Sequence, residues 1–353
     1  MSAHTAAQLA DLRRESLLMI EEDWLAQRKA QEPLSEPVKA PPGLRDRPQG
    51  LDEMVGQKNL VRQLRMICAG SMLRGTTVPH ILLTGPAGHG KSSLGGIIAN
   101  ELEATMVETT GMTLKRPQDL IGMLVKMQGT TVFFIDEVHA LPKAVMECLY
   151  EAMEDGKISA IAGSGADAVA HVHTLPPFIC VGATTRPGLL TTPFRQRFGF
   201  AGTVDPYTIE ELSEIVGRAW TRVGMKHTKG ESEQVAKRCK GVPRIALHLA
   251  ERVQDFCAVH DDGSRIPKGR AAEALRFFNI DERGLDRDDY RILSALTGQF
   301  AGRTVGLDVL AQALDMDAKT ISEQHEPYLS QQGFISRTKT GRMALPAAYE
   351  LLQ

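Results

Sequence analysis

Residues 80–102 read HILLTGPAGHGKSSLGGIIANEL, and the passage falls into three parts. HILLT (80–84) is a short apolar run of the kind that fills a buried strand. GPAGHGKS (85–92) is a glycine-rich loop, and SLGGIIANEL continues as a helix. The loop fits G-x-x-x-x-G-K-[ST] in the strand–loop–helix setting that gives the pattern its meaning. Glycines such as Gly88 and Gly90 let backbone N–H groups crowd around phosphate oxygens, and the helix N-terminus adds a positive dipole. Lys91 is therefore expected at the β- and γ-phosphates and Ser92 on Mg²⁺, with ATP as the nucleotide.

Outward from this loop, MVETT (106–110), TVFFI (131–135) and FICVGA (178–183) are further short apolar or β-branched runs, separated by helical stretches. That alternation predicts an α/β P-loop core with a parallel sheet over 45–206. From 208 to about 281 strands stop, and the periodicity predicts an all-α domain over 207–281. The segment 282–353 alternates short helical patterns and ends in GFISRTKTGRMAL, two short strands around a Thr-Gly turn. That order predicts a winged helix-turn-helix. Ahead of the core, Leu9, Leu12, Ile20 and Trp24 give 5–30 a helical face, and prolines at 33, 37, 41, 42 and 48 mark a linker. Residues 1–44 are thus expected to be a helical arm with its tether.

The 353 residues are 42% apolar and 24% charged, with a net charge of −2. Binding to nucleic acid would have to come from a local basic patch. Five cysteines, at 68, 148, 180, 239 and 257, form no CxxC pair, so isolated thiols of a reducing compartment are expected rather than disulfides or zinc. No apolar run approaches the roughly 18 residues of a membrane span, and the N-terminus lacks the pattern of a secretory signal. A cytoplasmic protein is the expectation.

VFFIDEVH (132–139) ends an apolar strand in adjacent carboxylates. After a P-loop, Asp136 is expected to bind Mg²⁺ and Glu137 to activate the attacking water. GATTRPGLLTTPFRQRFG (182–199) leaves its strand with Thr184 and Thr185, either of which could sense a γ-phosphate. Its Arg195 and Arg197 read either as an arginine finger or as solvated charges. Arg244 in GVPRIA opens a helix and reads as a nucleotide contact or a structural ion pair. In SRTKTGR (336–342), Arg337, Lys339 and Arg342 suit phosphate contacts of low sequence specificity, or a solvated basic turn.

Together these segments resemble the RuvB family of AAA+ ATPases, from about residue 45 to the end. RPQGLDEMVGQ, GPAGHGKSSLGGIIANEL, FFIDEVHAL, AMED, GVPRIA and EPYLSQQGFISRTKTGRMA stand in that family's order. The resemblance implies a hexameric ring around duplex DNA that uses ATP to drive Holliday-junction branch migration, docked on RuvA. It implies nucleotide contacts at Arg47, Gly88, Lys91, Ser92, Ser93, Tyr207 and Arg244, with Glu154 and Asp155 as others. It further implies a trans-acting finger at Arg197, a sensor at Thr185, and DNA contacts at Arg337 and Arg342. Ala87, His89, Asp46 and Thr340 depart from the family pattern; Asp46 bears on the adenine side and Thr340 on the wing.

The stretch KISAIAGSGADAVAHVHTLPPF (157–178) corresponds to the family's partner-docking hairpin. Ala160 and Ala162 stand where larger apolar anchors are usual, and each lost anchor removes about 1.5–3 kcal/mol of burial. His171 and His173 share one strand face but lack a third ligand for a metal. The hairpin 157–175 is expected to bind a divergent RuvA or a different partner, with the 5–30 helix as a second contact. Two other classes remain open: a loader that places a protein on DNA without sustained translocation, and a nucleotide-gated adaptor. Weak ATPase and an open ring would favour the loader, whereas Glu137 and Arg197 argue against a pure adaptor.

Overall fold

The computed structural model describes residues 43–162 and 169–353; the proposed arm at 5–30 lies outside them. Helix α1 (Lys58–Arg74) precedes a five-stranded sheet of β1 (Ile81–Thr84), β2 (Thr105–Thr110), β3 (Thr131–Asp136), β6 (Phe178–Thr184) and β7 (Phe200–Thr203). The strand order is β2-β3-β6-β1-β7, and every pairing is parallel. The three central strands are apolar along almost their whole length because helices cover both faces. These include α2 (Lys91–Glu101), α3 (Pro117–Leu124) and α4 (Lys143–Asp155).

The register positions the chemistry. Thr84 pairs with Thr184, and Thr110 with Asp136. The carboxyl ends of β1, β3 and β6 therefore finish along one edge, where the P-loop, the Asp-Glu pair and the threonine pair all emerge. A crevice outside the strand ends is where open α/β sheets bind ligands. The short β7 escapes a reading by apolar runs because only Gly202 of its FAGT is buried.

Between β3 and β6, β4 (Lys157–Ala162) and β5 (Val169–Thr174) form a separate antiparallel ribbon. Its register sets Ala160 opposite His171 and Ile158 opposite His173. Ile158 is buried in the core, whereas Val172 and His173 are exposed.

After a short helix, α5 (Thr192–Gln196), come four longer ones: α6 (Ile209–Arg222), α7 (Lys229–Ala236), α8 (Pro243–His260) and α9 (Arg270–Phe277). They pack around the buried Trp220, whose indole N–H donates to the Ala250 carbonyl at 3.2 Å. Thr208 and Glu211 start α6 with a reciprocal capping box. Leu44 packs into this helical cluster, the lid, so the described residues start against it.

The remaining residues form a third core from α10 (Arg287–Thr297), α11 (Leu307–Leu314), α12 (Ala318–Thr320), α13 (Glu326–Gln331), the hairpin β8 (Ile335–Thr338) and β9 (Gly341–Ala344), and α14 (Pro346–Leu352). A π-helical turn, Ile321–His325, separates α12 from α13. The five cysteines are free. Among the described residues no helix is long and apolar enough to cross a membrane.

Candidate nucleotide site and basic hairpin

A cavity of about 330 Å³ opens between the sheet edge and the start of α8, lined by the P-loop residues Gly88, Gly90, Lys91, Ser92 and Ser93 with Asp136, Glu137, Arg45, Arg47 and Arg244. A smaller cavity adjoins it and shares Gly90, Ser93, Pro243 and Leu247. Met54, Tyr207 and Ile215 give the second chamber an apolar wall. A polar, cation-lined chamber beside an apolar one matches the two ends of a nucleotide, phosphate and base.

The P-loop closes directly against the lid. The Arg244 N–H donates to the Gly88 carbonyl at 3.3 Å. Gly88 has φ +76°, and a Cβ there would come within 2.8 Å of Val242 and 3.2 Å of Arg244. A side chain at this position would push the lid off the loop.

Lys91 donates to the carbonyls of Gly85 and Pro86, each at 2.9 Å. Burial lowers its ammonium pKa, and the Glu137 and Asp136 carboxylates pull it back up. His89 bonds the Ala87 carbonyl at 2.9 Å and is absent from the cavity lining. Burial lowers its pKa, so it adds no charge to the loop at neutral pH. Tyr207 reaches the His89 carbonyl at 3.4 Å, and burial pushes its hydroxyl pKa up to about 12. Asp46 lines the apolar chamber, where its carbonyl accepts from Arg222 at 2.8 Å. Arg47 lies 3.8 Å from Glu108 on the open side.

Glu137 is held from two directions. It takes a left-handed conformation, φ 49° and ψ 50°, directly after Asp136 ends β3. Its Oε2 accepts from the Thr185 hydroxyl at 3.0 Å and the Thr185 N–H at 3.3 Å. The same oxygen lies 3.0 Å from His139 Nδ1. His139 Nδ1 also lies 2.9 Å from the Thr184 hydroxyl, which accepts from the Arg186 N–H at 3.0 Å. The two candidate sensor threonines thus separate: Thr185 touches the Glu137 carboxylate, and Thr184 touches the histidine beside it. The sequence reading gave His139 no role. Its place two residues after an Asp-Glu pair, in a tight turn, was the available signal.

Residues 46–204 match the family described as the Holliday junction DNA helicase RuvB P-loop domain, 207–281 the RuvB AAA lid domain, and 282–353 the RuvB C-terminal winged helix domain. The chain belongs to the RuvB family. It is 42% identical over 304 residues to the Holliday junction branch migration complex subunit RuvB of Salinibacter ruber, an alignment covering 86% of this chain and 88% of that protein. The Thermotoga maritima RuvB subunit is 41% identical over 307 residues, covering 87% and 92%. A solved structure of the Thermotoga maritima RuvB Holliday junction branch migration motor matches with a TM-score of 0.76 and 40% identity, over 87% of this chain and 97% of that one.

Three residues assigned from the RuvB pattern lie away from the cavity. Arg197 bonds Glu154 at 2.8 Å and the Tyr150 hydroxyl, with its guanidinium 4.0 Å from the Tyr150 ring centre. Glu154 and the adjacent Asp155 end α4 and are exposed. None of the three lines the phosphate or base chamber of its own chain. The resemblance assigns Glu154 and Asp155 to nucleotide binding without saying which subunit's nucleotide, and neither lines the cavities of its own chain. Arg195 is exposed and reaches the Thr192 hydroxyl at 3.4 Å.

The basic hairpin also differs from its sequence reading. Arg337 is half-exposed, and Lys339 lies on the exposed turn. The Arg342 side chain is only 13% exposed and forks onto Glu326, which is completely buried. Arg337 lies 3.2 Å from the same carboxylate. Arg342 is thus tied into the fold, and the lone acidic residue of this segment is its partner. Lys339 holds its charge on the exposed turn, and the half-exposed Arg337 shares the Glu326 carboxylate with Arg342.

Proposed function

We propose that this chain is a cytoplasmic ATP-driven DNA motor that hydrolyses ATP in a homo-oligomeric ring, a hexamer by family resemblance, to drive branch migration of four-way-junction DNA. The observation that carries the reading is Glu137 in the phosphate chamber, fixed by both donors of Thr185. A carboxylate so oriented can accept a proton from a water attacking the γ-phosphate. Ser92 and Asp136 fit Mg²⁺, as a hydroxyl and a carboxylate lining the chamber beside Lys91. Mg²⁺ bound there would offset charge on the phosphate oxygens. Lys91 and the helix N-terminus supply positive potential, and Arg47, Ser93, Tyr207 and Arg244 hold the nucleotide between core and lid.

Arg197 acts on a neighbouring subunit's nucleotide, with Glu154 and Asp155 at the same subunit boundary; their distance from their own chamber supports this. The β8–β9 hairpin contacts DNA phosphates through Arg337 and Lys339. The β4–β5 ribbon docks on a RuvA-like partner through fewer large apolar groups than the family uses. The test is ATPase activity with and without a synthetic four-way junction, alongside particle imaging for rings. Glu137→Gln should bind ATP and lose turnover; retained turnover refutes the assignment of the base.

A further inference from the structure

The π-helical turn Ile321–His325 meets both nucleotide-facing segments of the molecule. From the core side, Arg186 directly follows the threonine pair, and its guanidinium pairs with Glu323 of the turn. Arg186 also donates its backbone N–H to Thr184, the residue that touches His139 beside Glu137. From the lid side, Lys240 stands four residues before Arg244. Its ammonium reaches Asp286 Oδ2 at 3.0 Å and also contacts Asp289. Asp289 is fully buried, and its other oxygen lies 2.7 Å from His325 Nδ1 at the end of the turn. The next residue is Glu326, the buried partner of Arg342 and Arg337 in the basic hairpin.

These two attachments differ in strength. The lid–wing contact is buried and close: Gly284, at φ +77°, lies so near the lid that a Cβ would come within 2.4 Å of the Arg238 carbonyl. Asp286, Asp289 and His325 are the residues that could hold a metal ion among those described, but Lys240 already sits on both carboxylates, which makes the cluster an ion-pair joint. On the core–wing side, the Arg186–Glu323 pair has side chains 54% and 39% exposed. Such a pair forms and breaks at little cost. π-turns in helices often mark functional positions of this kind.

We propose that Arg186–Glu323 is a latch that couples the phosphate-sensing loop to the winged-helix domain, while the Lys240–Asp289–His325 joint makes lid and wing move as one body. Arg186 and Glu323 are positioning residues in this scheme. DNA on the hairpin biases the wing, the wing makes or breaks the latch, and the loop carrying Thr185 shifts its hold on Glu137. The inference rests on the motor reading above.

The test is a charge swap read as the ratio of ATPase with a synthetic four-way junction to ATPase without DNA. Glu323→Arg and Arg186→Glu, both at exposed sites, should each lower that ratio about two- to fivefold, the share of a half-exposed pair. Basal ATPase of Glu323→Arg and its affinity for the junction should stay as in the unmodified chain. The double swap should recover the ratio, which a loss of general stability would not do. The milder Glu323→Gln should lower the ratio in the same direction. Single variants that respond to DNA like the unmodified chain, or a double swap that recovers nothing, overturn the latch. An unmodified chain whose ATPase ignores DNA overturns the motor reading and the latch with it, so the two failures are distinguishable.

Discussion

Replacing Arg342 with alanine separates a structural cation from a DNA-binding one. Glu326 is completely buried, and Arg342 supplies two of its contacts from a side chain 13% exposed. Removing that partner leaves a buried carboxylate facing Arg337, whose side chain is 51% exposed. Breaking a buried pair on one side costs about 3–5 kcal/mol, whereas losing a half-exposed pair costs about 0.2–1 kcal/mol. For a domain of this size each kcal/mol moves the midpoint by about 4–8 °C, so Arg342→Ala should lower the winged-helix transition by at least about 12 °C. Arg337→Ala should move it only slightly. Replacing both buried partners, with Glu326→Gln and Arg342→Met, should recover most of the loss because no buried charge is left unpaired and the half-exposed Arg337 stays solvated. Calorimetry of the full chain reads the midpoints, and DNA binding is followed as a function of salt. Arg337→Ala and Lys339→Ala should each reduce the slope of log K against log salt by about 0.9. If Arg342→Ala kept the unmodified midpoint while reducing the salt slope, the guanidinium would face DNA and the structural argument would fail.

Two further outcomes follow from the nucleotide site. Thr185→Val removes the hydroxyl that donates to Glu137 but keeps the backbone donor; a lost hydrogen bond to a charged group is worth about 1.5–3 kcal/mol, so kcat should fall about 10- to 100-fold with nucleotide affinity unchanged. A rise in KM with unaltered kcat would instead make Thr185 a binding residue. Arg197→Ala and Glu137→Gln should each be inactive alone yet regain activity when mixed, because roughly a quarter of random interfaces then pair an intact finger with an intact base. No recovery from a mixture that forms rings would place Arg197 outside the neighbour's site.

The sheet was legible because buried parallel strands are continuous apolar runs, and those ending at Thr84, Asp136 and Thr184 carry their chemistry at one end. The P-loop was legible because its glycines, lysine and serine are fixed in spacing by the phosphate geometry they serve. Pairings between distant segments were not. Nothing local to Glu326 announces a partner 16 residues away across a hairpin, and Arg197 gives no sign of Tyr150 on α4. Motif reading therefore overestimated the free positive charge of the wing. Residue types alone also leave Thr184 and Thr185 open, a choice that only the resemblance narrows to Thr185, although successive residues at a strand end point in different directions and reach different partners.

The separation of Arg197 from its own phosphate chamber bears on how hydrolysis is controlled. Asp136, Glu137, Lys91 and Arg244 line one cavity of a single chain, and Thr185 bonds Glu137; on the proposed reading these groups bind nucleotide and orient a water. A lone subunit lacks, on that reading, the cation that stabilises charge developing on the transferred phosphate. In the single chain that cation is engaged by Glu154 and Tyr150. The pair with Glu154 is partly exposed and thus cheap to exchange for a phosphate across a subunit boundary. A resting partner of this strength keeps the guanidinium ordered without sequestering it. On the proposed reading turnover depends on assembly, and each subunit's base answers to its neighbour's arginine. The latch between Arg186 and Glu323 would add a second condition to the same base, set by the wing and hence by DNA.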